Sequence, residues 1–130
     1  MMSYLCNSVQ PEIQIAVHQT SQFSVCPIIS HKLAIIRIGR YLVSNPNRGI
    51  VYKVDKSKCL EAFFDADFTG NWADTDANNA DSALSQTGVV ICHANCPIVW
   101  SSKLHTEIAL STVEAEYIAL SHILREAIPL

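Results

Sequence analysis

The clearest pattern of apolar and polar positions lies near the end of the chain and predicts an amphipathic helix. Ser111-Thr112-Val113-Glu114 matches a capping box, in which Ser111 is the N-cap and Glu114 reaches back to the helix start. The helix is predicted to run to about Ala127, because Pro129 follows its end.

Glu116 occupies an unusual position on this helix. Four apolar residues fall within about 60° of it on a helical wheel, and these are Val113, Leu120, Ile123 and Ala127. Glu116 is therefore predicted in the middle of the apolar face, whereas Glu114 falls on the polar side. A carboxylate directed at a core costs free energy unless a cation or donors satisfy it. Two interpretations stay equally open: a metal ligand, or a first-turn carboxylate that reaches solvent or the N–H groups of the helix.

The preceding part of the chain favours strands. Four short apolar runs predict strands over residues 50–54, 60–64, 88–92 and 98–100. The last two strands are joined by a tight connection at Ala94-Asn95, where Asn tolerates a left-handed backbone. Residues 69–87 are polar and predict a long loop. Because the apolar runs are continuous, we expect both faces of these strands to be covered.

Helices are predicted in the first third of the chain. Pro11 suits the first turn of a helix over residues 11–24, and Ser30 is a suitable N-cap for a second helix that ends near Val43. A loop at residues 44–49 then marks the best domain boundary. The pattern therefore predicts an α/β chain of the α+β type, with a helical segment over residues 1–48 and a strand-rich domain over 49–130.

Composition and charge narrow the functional classes. The chain has 130 residues, of which 49% are hydrophobic and 16% charged, so it can build a core. No apolar run reaches the roughly 18–20 residues of a membrane span, and the start does not resemble a signal peptide. We therefore expect an intracellular protein, cytoplasmic or nuclear, without a membrane partner. The five cysteines are expected to be reduced thiols, mostly in the core.

The net charge of −3 hides a split between the two halves. Residues 1–60 carry seven basic and two acidic residues, whereas residues 61–130 carry two basic and ten acidic residues. Such a division suggests a polyanion partner and a cation site. The alternative, a solvated surface with accidental clustering, is the one that composition alone favours.

Acidic residues at a strand end supply the candidate chemistry. Asp65 and Asp67 stand between Phe64 and Phe68, and they share a face if the strand persists. With Glu116 they would form a carboxylate cluster, which repels itself unless a divalent cation bridges it. Oxygen ligands favour magnesium or manganese, and such a site suits two-metal phosphodiester hydrolysis. For Asp67 alone, a solvated strand end is the favoured interpretation.

These residues lie in longer motifs, namely Asp65-Ala66-Asp67-Phe68-Thr69-Gly70, Ser85-Gln86-Thr87-Gly88, Cys96–Leu104 and a long helix motif over residues 109–120. Together these motifs resemble the ribonuclease H domain of copia-type LTR retrotransposon Pol polyproteins. In the basic half, Gln10-Pro11-Glu12-Ile13, residues 31–34 and residues 37–42 resemble the connector between reverse transcriptase and ribonuclease H. The resemblance covers nearly the whole chain.

The resemblance implies a truncated ribonuclease H-like fold, in which antiparallel strands are packed by the C-terminal helix. It implies that Asp65 and Glu116 are catalytic metal ligands, and that two Mg²⁺ or Mn²⁺ ions act when RNA is cut in an RNA–DNA hybrid. The hybrid would be recognised by its shape and 2′-hydroxyls. Lys32, Arg37 and Arg40 would contact phosphates, although a solvated helix face is an equal alternative. The rest of a Pol polyprotein is the other expected partner.

The chain also departs from the family pattern. The family carries a further Asp on a later strand and a fourth acidic or His region, and both would follow Leu130. We therefore expect an incomplete active site, with one sheet edge and one helix face exposed. His105 stands where the family usually has Gln. Two other functions stay open, a non-catalytic nucleic-acid-binding remnant and an inert fragment.

Overall fold

Four helices and one three-stranded antiparallel sheet form the part of the chain that the structure, a computed structural model, describes, namely residues 2–70 and 80–130. The chain divides into two units, Met1–Val51 and Tyr52–Leu130. The first unit holds three helices, and the second holds the sheet and the last helix. The described chain is therefore α+β, and the division falls close to the boundary expected between residues 48 and 49.

The first unit is built from three helices, α1 (Met2–Ser8), α2 (Gln14–Gln22) and α3 (Ile29–Ser44). A short 3₁₀ turn, Pro11–Ile13, precedes α2. The helix predicted over residues 11–24 is therefore present in two parts. Helix α1 was not predicted, because its sequence has no helical period. Tertiary packing supports it, since Cys6 is buried in a small core with Ile13, Val17 and Ile38.

The start of α3 differs from the prediction. The N-cap is Ile28 and not Ser30, which lies inside the helix. The imidazole of His31 takes the place of the Glu or Gln side chain of a capping box, because its Nδ1 accepts a hydrogen bond of 3.2 Å from the backbone N–H of the N-cap residue Ile28. The ring of His31 also stacks on Phe23 at a centroid distance of 4.0 Å, which helps to hold it there.

The second unit contains the sheet, with strands β1 (Leu60–Asp67), β2 (Gln86–His93) and β3 (Cys96–Leu104) in the order β1-β2-β3. Three of the four predicted strands are confirmed, and each is longer than predicted. Ala94 and Asn95 have φ values of 49° and 64°, so the left-handed connection between β2 and β3 is confirmed.

The other strand prediction was wrong, because residues 50–54 form no strand. Their neighbour Asp55 donates one backbone hydrogen bond to Ala94, but no ladder follows. The apolar side chains of Val51, Tyr52 and Val54 are exposed. The long loop predicted over residues 69–87 lies partly outside the described residues, at 71–79. The last residues of this segment are not in a loop as predicted, since β2 already begins at Gln86.

Helix α4 (Thr112–Ala127) packs on β1 and β2. The hydroxyl of Ser111 accepts a 3.1 Å hydrogen bond from the N–H of Glu114, which confirms the predicted N-cap. The carboxylate of Glu114 reaches back one residue further than a capping box requires, and accepts a 2.6 Å hydrogen bond from Leu110 N–H. These two hydrogen bonds connect the start of the first turn of α4 with its end.

Only one face of the sheet is covered by the described residues. Val89 and Ile91 of β2 pack against Ile123 of α4, and side chains alternate between the faces along a strand. On the other face, Phe63 is 58% exposed and Ile98 is 45% exposed. Among the described residues the expectation that both faces are covered is not met, because a continuous apolar run does not by itself provide a second packing layer.

Two further expectations concern membranes and cysteines. No helix among the described residues is long and apolar enough to cross a bilayer. None of the five cysteines forms a disulfide. Cys6 and Cys96 are buried, Cys92 is half-buried, and Cys26 and Cys59 are exposed, so the cysteines are not mostly in the core as expected.

Removing the side chain of Ile91 tests the packing of β2 against α4. Ile91 is fully buried, so Ile91→Ala is expected to lower the free energy of unfolding by about 2–5 kcal/mol, through lost burial and a cavity. Urea denaturation followed by circular dichroism measures the change. Val90→Ala is the matched control, because Val90 is next in the same strand and partly exposed on the uncovered face. Equal losses in both variants would contradict the assignment of faces.

Candidate functional site

Asp65 and Asp67 lie side by side on one face of β1. The strand continues through Asp67, so the conditional prediction that the two aspartates share a face is confirmed. Asp65 is paired with Gly88 and Asp67 with Gln86. Directly paired residues point to the same face of the sheet. Val89 points to the face that α4 covers, and the alternation along β2 directs Gly88 and Gln86 to the other face. Both aspartates are therefore exposed on the uncovered face.

Glu116 is exposed in the first turns of α4. The buried side of the helix is formed by Ala115, Ala119 and Ile123. The prediction that Glu116 points into the core was wrong, because these two alanines let the helix axis approach the sheet on a neighbouring side. Val113, which the wheel placed in the apolar face, is 60% exposed. Because the carboxylate of Glu116 stays hydrated, it needs no buried cation to compensate for lost hydration.

The direction of α4 determines which carboxylates are neighbours. Glu114 lines a cavity with Thr87 and Leu104, which lie at the end of the sheet where β1 ends. At the other end, Leu130 lines a cleft with Leu60 and His93. Helix α4 therefore begins beside the end of β1. Glu116 lies at the same end of the unit as Asp65 and Asp67.

The two flanks of α4 face different strands. Glu114, Tyr117 and Arg125 line a cavity together with residues of β3, so this flank faces β3. Glu116 lies about 160° from Glu114 around the helix, on the flank towards β1. Asp65 and Glu116 are thus brought to the same end of β1, an edge strand of the described sheet, but on different faces of that sheet.

The donors of Asp65 and Glu116 suit a hard divalent cation, because carboxylate oxygens are the ligands that Mg²⁺ prefers. Within residues 2–70 and 80–130, however, no group of three or more His, Cys, Asp or Glu side chains is arranged to hold a metal ion. The assignment of Asp65 and Glu116 as metal ligands therefore stays a prediction. The cofactor, Mg²⁺ or Mn²⁺, also stays a prediction.

The three basic residues predicted to contact phosphates all belong to α3. Lys32, Arg37 and Arg40 are exposed. On a wheel they fall within about 140° of one another, on the half of the helix that lies away from the buried Ile38. They therefore form one basic face on the first unit. Phosphate contact by these residues also stays a prediction.

A buried polar cluster near the start of β2 was not singled out as a site from the sequence. Ser85, Thr87 and His105 are buried. The backbone N–H of His105 donates a 2.8 Å hydrogen bond to the carbonyl of Ser85, and its Nε2 lies 2.6 Å from the hydroxyl of Thr87. The cluster ties the segment after β3 to the start of β2. The alternation of Ser85 and Thr87 was the available signal, but their common partner His105 lies 18 residues after Thr87.

His105 and His122 line the cavity on the β3 flank of α4. Burial lowers the pKa of His105, and the neighbouring His122 lowers it further. Burial is also the largest cause of the lowered pKa of His122, to which Lys103 and Arg125 add and which Glu126 opposes. Both imidazoles are therefore held in their neutral form more strongly than in an unfolded chain.

Acid is expected to destabilise the fold through these two imidazoles. Since their folded pKa values are lowered, the unfolded state binds more protons once the pH falls below about 6.5. The free energy of unfolding should then decrease as the pH falls from about 6.5 towards the folded pKa values. Urea denaturation at pH 7.5, 6.5 and 5.5 measures the slope.

His105→Gln is expected to flatten that slope, because Gln keeps a hydrogen-bonding partner for Thr87 and does not titrate. His93→Gln is the control, since His93 is exposed. A slope that His93→Gln flattens as much as His105→Gln does would show that burial is not the cause.

Comparison with known proteins gives relatives of one main kind. The chain is 37% identical over 108 residues to the retrovirus-related Pol polyprotein from transposon RE1 of Arabidopsis thaliana, and 33% identical over 108 residues to that from transposon RE2 of the same plant. Each alignment covers 83% of this chain but 7% of the relative. The chain therefore spans less than a tenth of the length of these polyproteins.

A third relative is of similar length to this chain. The secreted RxLR effector protein 161 of Plasmopara viticola is 31% identical over 125 residues, which cover 96% of this chain and 82% of that protein. No family model matches the chain. No solved structure matches it either.

Proposed function

The chain belongs to the retrovirus-related Pol polyprotein family of copia-type transposons, and from this premise we propose that the unit Tyr52–Leu130 is a ribonuclease H-like domain. Its proposed reaction is the metal-dependent hydrolysis of the RNA strand of an RNA–DNA hybrid. The chain represents one region of the polyprotein, and the rest of that polyprotein is its proposed partner. Work on such hybrids implies an intracellular location, in the cytoplasm or the nucleus.

One observation carries the proposal: α4 begins beside the end of β1, so Glu116 lies at the same end of the unit as Asp65 and Asp67. These three carboxylates are exposed. The sequence between residues 62 and 102 contains no Lys or Arg that would neutralise them. A divalent cation at this end of β1 would offset the negative charge of the three carboxylates, which lie there on both faces of the sheet.

In this proposal Asp65 and Glu116 hold the cation, and Asp67 adds negative charge beside it. Bound Mg²⁺ or Mn²⁺ would activate a water molecule and stabilise the leaving oxygen of the cleaved phosphodiester. The residues of this chain would fix the position of the cation at the end of β1. The face beside Asp65, which no described residue covers, would leave room for a nucleic-acid backbone, whose shape and 2′-hydroxyls would be recognised.

A second function, nucleic-acid binding without catalysis, is favoured by a specific observation. No third acidic or imidazole ligand joins Asp65 and Glu116 among the described residues, and two ligands bind a cation weakly. The exposed Lys32, Arg37 and Arg40 of α3 would supply the contacts to phosphates in either case. Binding and cleavage must therefore be measured separately.

Cleavage of labelled RNA in an RNA–DNA hybrid tests the catalytic proposal. The chain is expected to cut the RNA when Mg²⁺ or Mn²⁺ is present, and Asp65→Asn or Glu116→Gln should slow cleavage by about 100-fold or more. This size follows because a catalytic metal supplies several kcal/mol of transition-state stabilisation. Product release on a denaturing gel is the measurement.

Two carboxylates serve as controls. Glu61 is four residues before Asp65 on the same face of β1, and Glu126 lies at the other end of α4 from Glu116. Glu61→Gln and Glu126→Gln should cleave at the rate of the unchanged chain. No cleavage by any variant, with either metal, would reject catalysis by this chain and leave the binding function.

Binding to the hybrid is expected to depend on salt and on α3. Charge neutralisation of Arg37 and Arg40 should weaken binding and reduce its salt dependence, because each lost phosphate contact removes about one released counterion. Fluorescence anisotropy with a labelled hybrid between about 50 and 200 mM salt measures both effects. Asp65→Asn should bind as the unchanged chain does. Binding that is insensitive to salt would contradict the role of the basic face.

A further inference from the structure

Helix α3 carries apolar side chains on two sides. One side carries Ile38, which is buried in the core of the first unit. The opposite side carries four apolar residues that are between 39% and 80% exposed and fall within about 80° of one another on a helical wheel, namely Ile29, Leu33, Ile36 and Val43. These four residues form the α3 stripe. A helix with apolar residues on two sides is typical of one that packs on both.

The charge beside the α3 stripe is positive. Arg40 lies within the stripe on the wheel, and Lys32 and Arg37 lie on either side of it. Helix α3 contains no Asp or Glu. The unit Met1–Val51 as a whole carries four basic residues and one acidic residue. The surface that complements the stripe is therefore apolar with negative charge beside it.

The uncovered face of the sheet has an apolar centre. Phe63 is paired with Val90, and Val90 with Trp100, so these three side chains form a row across all three strands. Phe63 is 58% exposed and Val90 37% exposed. In the next row Gly88 is paired with Asp65, and no described atom lies within 4 Å of the position that a Cβ of Gly88 would take. A glycine inside a strand is typical of a place where another chain approaches closely.

The charge of this face is negative. The two aspartates at the end of β1 lie on it, beside the apolar row. Glu61 also lies on it and is paired with Lys58. Lys103, the lysine of the three strands, is paired with Thr87 and points to the face that α4 covers. The unit Tyr52–Leu130 as a whole carries eleven acidic and five basic residues.

The stripe and the uncovered face also match in length. The stripe extends from Ile29 to Val43, which is about 21 Å at about 1.5 Å per residue of helix. Strands β1 and β3 have 8 and 9 residues, which correspond to about 26–30 Å at about 3.3 Å per residue. A helix that lies along the sheet would thus keep its whole stripe on the face. Helix on sheet is a common way to bury an apolar sheet face.

We propose that the α3 stripe of one copy of this chain packs on the uncovered sheet face of a second copy. The basic residues beside the stripe would then lie near Asp65 and Asp67 of that copy. A second copy is the partner because one chain carries both surfaces, each apolar in the middle and opposite in charge. Two stripes packed on each other would instead bring six basic side chains together. A bound RNA–DNA hybrid would compete with this contact for the basic residues of α3, so the association belongs to the protein free of nucleic acid.

Sedimentation velocity of the full chain without nucleic acid tests this proposal. The average mass is expected to rise above the monomer mass of 14.3 kDa as the protein concentration increases. Concentrations from about 1 to 200 µM cover dissociation constants in the micromolar range. Added salt should weaken the association, because it screens the charges beside the apolar contact. A reducing agent is present throughout, since Cys26 and Cys59 are exposed and would otherwise cross-link copies.

Two variants each remove one of the surfaces. The α3 variant combines Leu33→Ser with Ile36→Ser, and the sheet variant is Phe63→Ser. Each should weaken self-association by about tenfold or more, because an apolar side chain is no longer buried. All three side chains are exposed, so both variants are expected to fold. A mixture of the two variants should associate again, since one supplies an intact sheet face and the other an intact stripe.

Val25→Ser and Leu110→Ser are the matched controls, because these apolar side chains are 89% and 87% exposed but belong to neither surface. Both should associate as the unchanged chain does. A monomer at every concentration, or an equal loss in the controls, would overturn the proposal. So would association that Phe63→Ser leaves intact, or a mixture of the two variants that stays monomeric. The sample contains no hybrid, so the result does not depend on the proposed cleavage.

Discussion

The packing of α4 on the sheet is the constraint on which the second unit depends. Ala115 and Ala119 are fully buried and have the smallest side chains that still favour a helix. They allow the helix axis to lie close to the sheet, and Ile123 then packs on Val89 and Ile91. A larger side chain at either alanine would move the helix outwards and open the only packed layer that the described sheet has.

This single contact also divides the chemistry of the unit into two regions. A helix held by one narrow side exposes both of its flanks, and each flank carries different groups. Glu116 lies on the flank towards β1, beside the end that carries Asp65, whereas Tyr117, Ser121 and Arg125 line the cavity towards β3. Because both flanks belong to one rigid helix, the same packing fixes the positions of the acidic and the basic groups.

Sequence patterns predicted the elements whose signals are local. The cap at Ser111 and the turn at Ala94-Asn95 depend on neighbouring residues, and both are present as expected. The errors concern elements that depend on distant partners. Helix α1 exists because Cys6 packs into a core, and residues 50–54 form no strand because no described strand pairs with them. In the same way, the capping role of His31 could not be read from a preference for hydroxyl caps.

The candidate site shows the same limit at the level of single side chains. The helical wheel gave the correct direction of Glu116 relative to Glu114, but not its burial. The wheel treats all apolar residues alike, whereas two small alanines decide which side of α4 meets the sheet. The contact between Thr87 and His105 joins residues 18 positions apart. Pairing of β2 with β3 creates that contact, so it is available only once the register is known.

The exposed carboxylates and the buried imidazoles of this unit have different effects on its folding. Asp65, Asp67 and Glu116 are exposed, so water screens the repulsion between their charges. A cation at the proposed site would therefore differ from a structural metal, which holds a small domain together. His105 and His122 are the opposite case. Their burial in the neutral form makes the stability of the unit depend on pH.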